Sequence, residues 1–355
     1  MGLVELSAAE GGDYLGIGVT ETAKIRGHSG FVGRFFPAAF NVTPNTPRFQ
    51  DACAAGVFSY LDQPFFFASS PVLSVTALAR GGTVTKNYTA TGFFKLSGTL
   101  AGRGYQDKSG LAVDFKTLLG GAVIVGGSTG LTGTATLTLA TATGDQFAYS
   151  RRALVGPFAA KIDATFAATD LTDSDGVCYD PNGDQRCDPL TIADVTGTTL
   201  RFGRLVASNA YGSELLGLAV PARTEYYNGA GFIANAEDTC TSVSTPNLDL
   251  GIGASGNPPA LGVPNANVGA STTTAAIAHT PTAAGDLGLS FSAPGAGNTG
   301  DLDYSFDLST ATGAKAEWLR YDWDANGSFD NDPSARISFG LFTGRTAVIY
   351  QREPW

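Results

Sequence analysis

Basic side chains and histidines are scarce in this chain, and these shortages narrow the classes of function open to it. Its 355 residues include 2 His, and 22 Lys+Arg stand against 32 Asp+Glu, for a formal net charge of −10. Nucleic acids and anionic membranes attract proteins with a basic footprint, so we expect neither as a partner. Charged residues make up only 15% of the chain, which is typical of the weakly charged surface of a secreted, β-rich protein.

Long apolar runs are also missing. A membrane-spanning helix needs about 20 consecutive apolar residues, and the longest candidate, Leu118–Val125, is short and interrupted by glycines. We therefore expect no membrane-spanning segment in this chain. The N-terminal residues lack the basic and apolar regions of a signal peptide. We expect the chain to be a fragment of a longer exported precursor, located outside the cell or at its surface.

Helical periodicity is weak, and an alternation with a period of two takes its place. In Ile162–Phe166 and Leu302–Leu308 every second side chain is apolar and the others are mostly polar. This pattern predicts strands with one buried face. A hairpin is predicted where Arg80-Gly-Gly-Thr83 joins the strands Val72–Ala79 and Thr83–Tyr88. Many short strands with turn-forming residues between them predict an all-β fold of tandem antiparallel β-sandwich domains, immunoglobulin-like and with long loops.

Changes in composition predict three regions. Residues 1–30 are glycine-rich and are interpreted as a lead-in segment or the end of a preceding domain. Residues 31–155 are predicted to form one or more immunoglobulin-like β domains. Residues 156–355 are predicted to form a β-sandwich domain with acidic loops. Within it, the Gly/Ala/Thr/Pro-rich segment 245–285 is predicted to be an insertion, ordered or mobile, rather than part of the core.

Four cysteines permit three pairings. Cys178 and Cys187 bracket eight residues of an acidic loop and are the easiest pair to close, which leaves Cys53 with Cys240. Loop entropy predicts a stabilisation of roughly 3 kcal/mol from the short pair and roughly 5 kcal/mol from the long one. The alternatives are reduced thiols in a cytosolic protein or a zinc site. Zinc is disfavoured because no CxxC motif is present and only two histidines are available.

Oxygen-bearing side chains at alternate positions mark a candidate calcium loop near the C-terminus. Such side chains, together with a glycine at the bend, wrap a hard cation. Gly327 stands at position six of this loop, but Pro333 stands at position twelve, so a standard EF-hand is excluded. The alternative interpretation is a solvated acidic turn. The predicted ligands are Asp322, Asp324, Asn326, the carbonyl oxygen of Ser328, and Asp330 or Asp332.

A second candidate calcium loop surrounds the short cysteine pair. Its Asp-x-Asp-Gly and Asp-x-Asn-Gly-Asp patterns resemble the calcium loops of thrombospondin-type repeats. The alternative interpretation is an acidic surface loop held by a disulfide. The predicted ligands are Asp173, Asp175, Asp180, Asn182 and Asp184.

No enzymatic activity is predicted. Neither histidine lies in a setting typical of serine or cysteine catalysis, and the glycine clusters lack the context of a phosphate-binding loop. Glu214 and Glu225 are the best candidates for the carboxylate pair that glycoside hydrolysis requires. The aromatic runs Phe65–Phe67 and Tyr226–Tyr227 could form a carbohydrate platform, but residues of the strand core and rim are the simpler interpretation.

Several segments, in their order along the chain, resemble a known family. They include Gly33–Phe40, Phe58–Phe65, Phe202–Glu214, Pro221–Tyr227, Asp238–Thr241, Trp318–Arg336 and Ile349–Glu353. The series resembles the C-terminal region of MshQ-type proteins, which are encoded with the mannose-sensitive haemagglutinin (type IV) pilus systems of Gram-negative bacteria.

This resemblance, over roughly residues 31–353, implies a pilus-associated surface protein. We expect an extracellular structural or adhesion module, with pilus proteins, other cell-surface proteins or surface glycans as partners. Disulfides and calcium would stabilise it. The alternative is a carbohydrate-binding, lectin-like module or a glycan-active enzyme built on the same β framework.

Overall fold

The structure, a computed structural model, describes most of the chain between residues 2 and 340. The residues it does not describe within that range are 12, 15–16, 19, 21–24, 141–143, 253–259, 262 and 310–314. The described residues form short strands in small, mainly antiparallel sheets, with four 3-10 helices at Lys86–Thr89, Ala168–Leu171, Thr245–Asn247 and Glu317–Leu319. The predicted all-β fold of tandem antiparallel β-sandwiches is confirmed. Within this part of the chain no helix is long and apolar enough to cross a membrane.

The first strands form a two-stranded ribbon and a small hairpin. Their bounds are β1 Gly2–Ala9, β2 Asp13–Tyr14, β3 Ile17–Gly18 and β4 Arg26–Phe35. β1 pairs antiparallel with β4, from Gly2 opposite Phe35 to Ala9 opposite Arg26. We call β1 and β4 together the N-terminal ribbon. Its side chains are exposed along nearly its whole length, so it adds little to the cores described below.

Fourteen further strands among the described residues surround a first core. They are β5 Ala39–Pro44, β6 Arg48–Phe49, β7 Ser59–Tyr60, β8 Phe67–Ser69, β9 Val72–Leu78, β10 Gly104–Asp107, β11 Asp114–Leu118, β12 Val123–Gly126, β13 Thr134–Leu139, β14 Gln146–Ser150, β15 Phe158–Ala159, β16 Ile162–Phe166, β17 Leu190–Val195 and β18 Thr199–Arg201. The largest sheet has the order β12-β13-β9-β5, and a second has the order β10-β16-β17.

Aromatic rings fill the centre of the first core. Phe147 lies 4.9 Å from Phe67 and 5.1 Å from Phe49, measured between ring centroids, and both pairs meet edge to face. Such contacts add about 0.5–1.5 kcal/mol each beyond the burial of area. Phe65 and Phe67 are both buried. The simpler interpretation of the Phe65–Phe67 run, as core rather than as a carbohydrate platform, therefore fits these two rings.

The hairpin predicted around Arg80 forms only in part. Ala79 donates its N–H to the carbonyl of Thr83 at 2.8 Å, so the turn is present. The predicted strand Thr83–Tyr88 is wrong, because pairing stops after one bridge between Leu78 and Val84. The chain then enters the 3-10 helix Lys86–Thr89, which buries Tyr88 and Thr89 against the first core.

Twelve strands surround a second core within the described part of the chain. They are β19 Gly203–Ala207, β20 Ala210–Gly212, β21 Leu218–Val220, β22 Ala222–Tyr227, β23 Phe232–Ala234, β24 Leu248–Ile252, β25 Ala260–Leu261, β26 Asn265–Val268, β27 Ser271–Ile277, β28 Leu289–Phe291, β29 Gly300–Phe306 and β30 Ser334–Phe339. Sheets of order β20-β30-β29-β24-β25 and β21-β28-β27-β26 enclose it, and β19-β22-β23 forms a third sheet. In β29 the predicted alternation places Leu302, Tyr304 and Phe306 in the core.

The segment 245–285 is not an insertion outside the core. Its described residues form β24, β26 and β27, and they bury Leu248, Val268 and Ala275. The sequence-based interpretation is wrong because the buried positions of β26 and β27 carry mostly small residues. An Ala/Thr alternation has the period of a strand but little of the apolar volume by which a core strand is usually recognised.

Most residues of the two cores divide close to residue 200, but Cys53, Phe58 and Tyr60 belong to the second core. Leu200 and Phe202 belong to the first core, and Leu205 belongs to the second. Strands β16 and β17 lie after the boundary predicted between residues 155 and 156, yet they contribute to the first core. The predicted division of the chain into folding domains stays a prediction.

Candidate metal-binding loops

The loop at Asp322–Asp332 folds around the carboxylate of its first residue. Asp322 accepts the N–H of Asn326 on Oδ1 at 2.8 Å and the N–H of Gly327 on Oδ2 at 3.0 Å. Asn326 accepts the N–H of Ser328 on Oδ1 at 2.7 Å. The backbone has positive φ at Ala325 (57°) and Gly327 (87°). These two left-handed residues turn the chain, so that Asp322, Asp324 and Asn326 share one small loop.

The loop that follows Cys178 folds in the same way around Asp180. The Oδ1 atom of Asp180 accepts the N–H of Asp184 at 3.2 Å, and its Oδ2 atom accepts the N–H of Gln185 at 2.9 Å. Positive φ again occurs at two residues, Gly183 (74°) and Gln185 (66°). A left-handed conformation costs a non-glycine residue about 1–2 kcal/mol, so the loop holds Gln185 against its own preference.

Counted from the first aspartate, the two loops have one conformation. In each, position one accepts the N–H groups of positions five and six, and φ is positive at positions four and six. Position three carries an oxygen that accepts the N–H of position five, from Asn326 to Asp324 and from Asp184 to Asn182. Side-chain oxygens at positions one, three and five, with a carbonyl at position seven, are the donor set that suits calcium.

Asp332 lies outside this shared loop. Arg320 donates to both of its carboxylate oxygens, at 2.9 Å and 3.1 Å, and the N–H of Leu308 donates to Oδ1 at 3.0 Å. Burial would lower the pKa of Arg320, but the hydrogen bond to Asp332 and the charges of the carboxylates around it together outweigh this effect and raise the pKa. Asp332 therefore serves an ion pair, which leaves Asp330 as the alternative ligand at the end of the loop.

Asp173 and Asp175 form a separate turn before the short disulfide. Asp173 accepts the N–H groups of Asp175 and Val177 on Oδ1 at 2.9 Å and 3.0 Å, and the hydroxyl of Tyr88 on Oδ2 at 3.0 Å. Burial and the Asp173 charge raise the pKa of Tyr88 above its ordinary value. Of the five ligands predicted here, the structure brings Asp180, Asn182 and Asp184 together in a loop, and it places Asp173 and Asp175 in this other turn.

Both predicted disulfides are present. Cys178 and Cys187 have their Cα atoms 5.4 Å apart, and Cys53 and Cys240 have theirs 5.5 Å apart. The short bridge closes the loop of Asp180, and the N–H of Phe40 donates to the carbonyl of Cys178 at 2.7 Å. This loop is therefore fixed to strand β5 of the first core.

Glu225 is held by two arginines. Arg204 donates to its Oε2 atom at 2.7 Å, and Arg223 donates to its Oε1 atom at 2.9 Å. Burial would raise the pKa of Glu225, but the hydrogen bonds and charges of these arginines outweigh it and lower the pKa below its ordinary value. A glycosidase acid needs the opposite shift. Glu225 is thus a poor general acid, and the pairing of Glu214 with Glu225 has no support in this geometry.

Arg204, one of these two arginines, also links Glu225 to the loop of Asp322. The guanidinium carbon of Arg204 lies 3.7 Å from the ring centroid of Phe232, 5.0 Å from that of Tyr321 and 5.2 Å from that of Trp323. Contacts of this type are worth about 0.5–2 kcal/mol each. Tyr321 and Trp323 flank Asp322. The start of the loop is therefore held by aromatic rings that pack against Arg204.

Two family models cover nearly the whole sequence. Residues 1–194 match the third domain of the DUF6701 family, and residues 201–354 match its fourth domain. The chain belongs to the DUF6701 family. No curated protein matches it. The two DUF6701 matches meet near residue 200, where the two cores also divide except for Cys53, Phe58 and Tyr60, which lie in the second core. Each DUF6701 domain therefore carries one loop of the shared conformation, that of Asp180 in the third and that of Asp322 in the fourth.

Arg151 joins the two DUF6701 domains and was not recognised from the sequence. Its side chain is only 4% exposed, and Nε donates to Asp62 at 2.8 Å. Its terminal nitrogens donate to the carbonyls of Glu317 at 3.0 Å, of Phe329 at 3.2 Å and of Arg320. Burial lowers the pKa of Arg151, and Asp62 offsets part of that shift. The fourth-domain acceptors flank or belong to the loop of Asp322, so this loop forms part of the contact between the domains.

Proposed function

We propose that the chain is an extracellular structural module of a pilus-associated surface protein, serving assembly or adhesion, in which one calcium ion stiffens each DUF6701 domain. The observation that carries the calcium proposal is the repetition of one loop conformation, with oxygen donors at positions one, three and five, in both domains. Two disulfides and a weakly charged, acidic composition favour an oxidising location outside the cell. The pilus association rests on the resemblance to MshQ-type proteins.

Calcium would act here as a structural clamp rather than as a catalyst. In the fourth domain it would fix Asp322 and the backbone near Phe329, which accepts a hydrogen bond from Arg151. In the third domain it would fix the loop that the Cys178–Cys187 bridge holds against β5. A module of this kind keeps a set orientation between its domains, as the presentation of adhesive domains at a cell surface requires.

Melting curves with calcium and with a chelator test this proposal. With calcium at about 100 times its dissociation constant, each site should add roughly 2.7 kcal/mol to the free energy of unfolding. Asp322→Asn and Asp180→Asn should each remove one part of the response, and the double variant should remove both. Asp301→Asn, outside either loop, is the matched control. A wild-type melting temperature that ignores calcium, or a full response in the double variant, would refute the calcium assignment.

The pilus association needs its own test. We expect the intact chain, immobilised and supplied with calcium, to capture purified pilin from a type IV pilus, and we expect glycan-hydrolysis assays to show no turnover. Capture that persists after chelation would show that the binding of pilin does not depend on calcium. Failure to retain pilin at any calcium concentration would count against assembly or adhesion at a pilus.

One cavity favours carbohydrate binding as a second candidate function. It encloses about 560 Å³ between the domains, within the range of small-molecule sites. Its lining combines the rings of Trp318 and Phe329 with the carboxylates of Asp62 and Asp330, a mixture suited to sugar rings and hydroxyl groups. Glycan-array binding that Trp318→Ala abolishes, and that exposed Trp323→Ala retains, would support this alternative. An array without hits would dismiss it.

A further inference from the structure

The N-terminal ribbon exposes more apolar side chain than any function described so far explains. Leu6 is 62% exposed and Phe31 is 76% exposed. The other large apolar residues exposed on the ribbon or beside it are Leu3, Val4, Ile25, Val32, Phe35 and Phe36. A concentration of exposed apolar side chains on one small element marks an interaction site.

The register of the ribbon places apolar residues on both of its faces. Val4 lies opposite Val32, and the adjacent pair is Glu5 opposite Phe31. Because successive side chains point to opposite faces, Val4 and Val32 share one face and Phe31 lies on the other. Along the described chain, neither β1 nor β4 pairs with a third strand. A two-stranded ribbon alone is at best marginally stable in water, and its open edges are templates for further strands.

We infer that the N-terminal ribbon is the docking surface for the domain that the DUF6701 family numbers second, with the ribbon adding strands to that domain's sheet. The ribbon lies toward the N-terminal end of the residues that match the third domain, on the side from which a domain numbered second would approach. A family with third and fourth domains has a second domain ahead of them. A second domain joined to the third in one chain would meet the ribbon at an effective concentration of about millimolar.

A second copy of this chain fits the ribbon less well. Two identical ribbons stacked together would each cover one apolar face and leave the other in water. If the ribbon instead adds to the edge of a sheet that is packed between two other layers, those layers cover both faces of the ribbon. The edge strand of the sheet also pairs with the backbone groups of one ribbon strand. Strands with apolar residues on both faces are the kind found inside such layered sheets.

The test uses the intact chain and, as the probe, a second DUF6701 domain of a family member produced separately. We expect binding in titration calorimetry and slower amide exchange at residues 2–9 and 26–35. Leu6→Asp and Phe31→Asp should each weaken binding at least 10-fold, because a buried apolar anchor is replaced by a charge. Leu131→Asp, equally exposed at 68% but outside the ribbon, should bind like the wild type. Since both ribbon residues are exposed, all three variants should keep the wild-type melting temperature.

Three results would overturn the inference. One is absence of binding between the two proteins at concentrations up to millimolar. Another is binding that protects residues elsewhere and leaves the ribbon exchanging as before. The third is a concentration-dependent dimer of the chain alone, seen by sedimentation and abolished by Leu6→Asp, which would make a second copy the occupant.

Discussion

At the scale of single residues, two buried carboxylates in the described part of the chain each have several hydrogen-bond partners. Asp145 accepts two hydrogen bonds from Arg103, at 2.7 Å and 2.8 Å, one from the N–H of Gly120 at 2.9 Å and one from the Tyr105 hydroxyl. Asp238 is fully buried and accepts from Tyr60 at 2.8 Å and from other donors around it. A buried ion is tolerated when its partners replace the water it has lost, so removing one partner costs more than the bond itself.

Replacing Arg103 by methionine should therefore be strongly destabilising. The variant keeps most of the side-chain volume but leaves the Asp145 carboxylate buried without its cation. We expect the free energy of unfolding to fall by about 3–5 kcal/mol, measured by denaturant titration. The exposed Arg48→Met should change it by less than about 1 kcal/mol. A loss no greater than that of the control would show that Asp145 is satisfied by its remaining donors.

The pKa of Glu225 predicts a pH dependence of stability. Its pKa in the folded state lies below the ordinary value of 4.5, so the folded state favours the ionised form. This contribution is fully present above the pKa of the unfolded chain and is lost as pH falls through the folded pKa. Glu225→Gln should therefore be less stable than the wild type at pH 7, and the gap should narrow below about pH 4.5. A gap that is constant from pH 7 to pH 3 would contradict this assignment.

At the scale of the structural element, the loops and strands differ in how far sequence alone predicts them. The hydrogen bonds of the Asp180 and Asp322 loops join residues at most five positions apart, so a local pattern is enough to predict them. The pairing of Asp173 with Tyr88 spans 85 positions, and no local pattern contains it. The alternation of apolar and polar residues predicted β16 and β29. Strands of two residues are too short to show such an alternation, so the sequence did not predict them.

The short disulfide should stabilise its loop by an amount set by loop closure. For the double variant Cys178→Ser/Cys187→Ser we expect a loss of roughly 3 kcal/mol in the free energy of unfolding. Adding reductant to the wild type should produce a similar loss if the bridge is accessible. In the same variant, the part of the calcium-dependent stabilisation that comes from the Asp180 loop should weaken. The part that comes from the Asp322 loop should not change. Equal weakening at both loops would mean that the effect is global rather than local.

At the scale of the whole molecule, Arg151 connects the domains through backbone carbonyls. Its hydrogen bonds to the fourth domain span 166 to 178 positions in the chain. Sequence reasoning missed it because nothing distinguishes Arg151 from its neighbour Arg152 until the fold is known. A hydrogen bond across a domain boundary depends on how the two cores are placed relative to each other. The periodicity of the sequence carries no information about that placement.

Arg151→Met should weaken the coupling between the two domains. Removing the guanidinium leaves Asp62 and three carbonyls without their shared donor, so we expect one calorimetric transition to separate into two. The unfolding free energy of the less stable domain should fall by about 3 kcal/mol or more. Arg152→Met, at an exposed pair with Asp114, should leave the thermogram unchanged. A single, unshifted transition in Arg151→Met would show that the domains are coupled by other contacts.

The Cys53–Cys240 bridge has a consequence under mechanical tension. It joins points 187 residues apart, so a pull applied outside those two points is carried by a covalent bond and bypasses the chain between them. The bypassed segment includes most of the first core. At roughly 3.4 Å per residue, it would add roughly 640 Å of contour length if it were released. In a force-extension experiment this length should appear only after reduction, because in the oxidised chain the part of the first core between the two cysteines bears no tension.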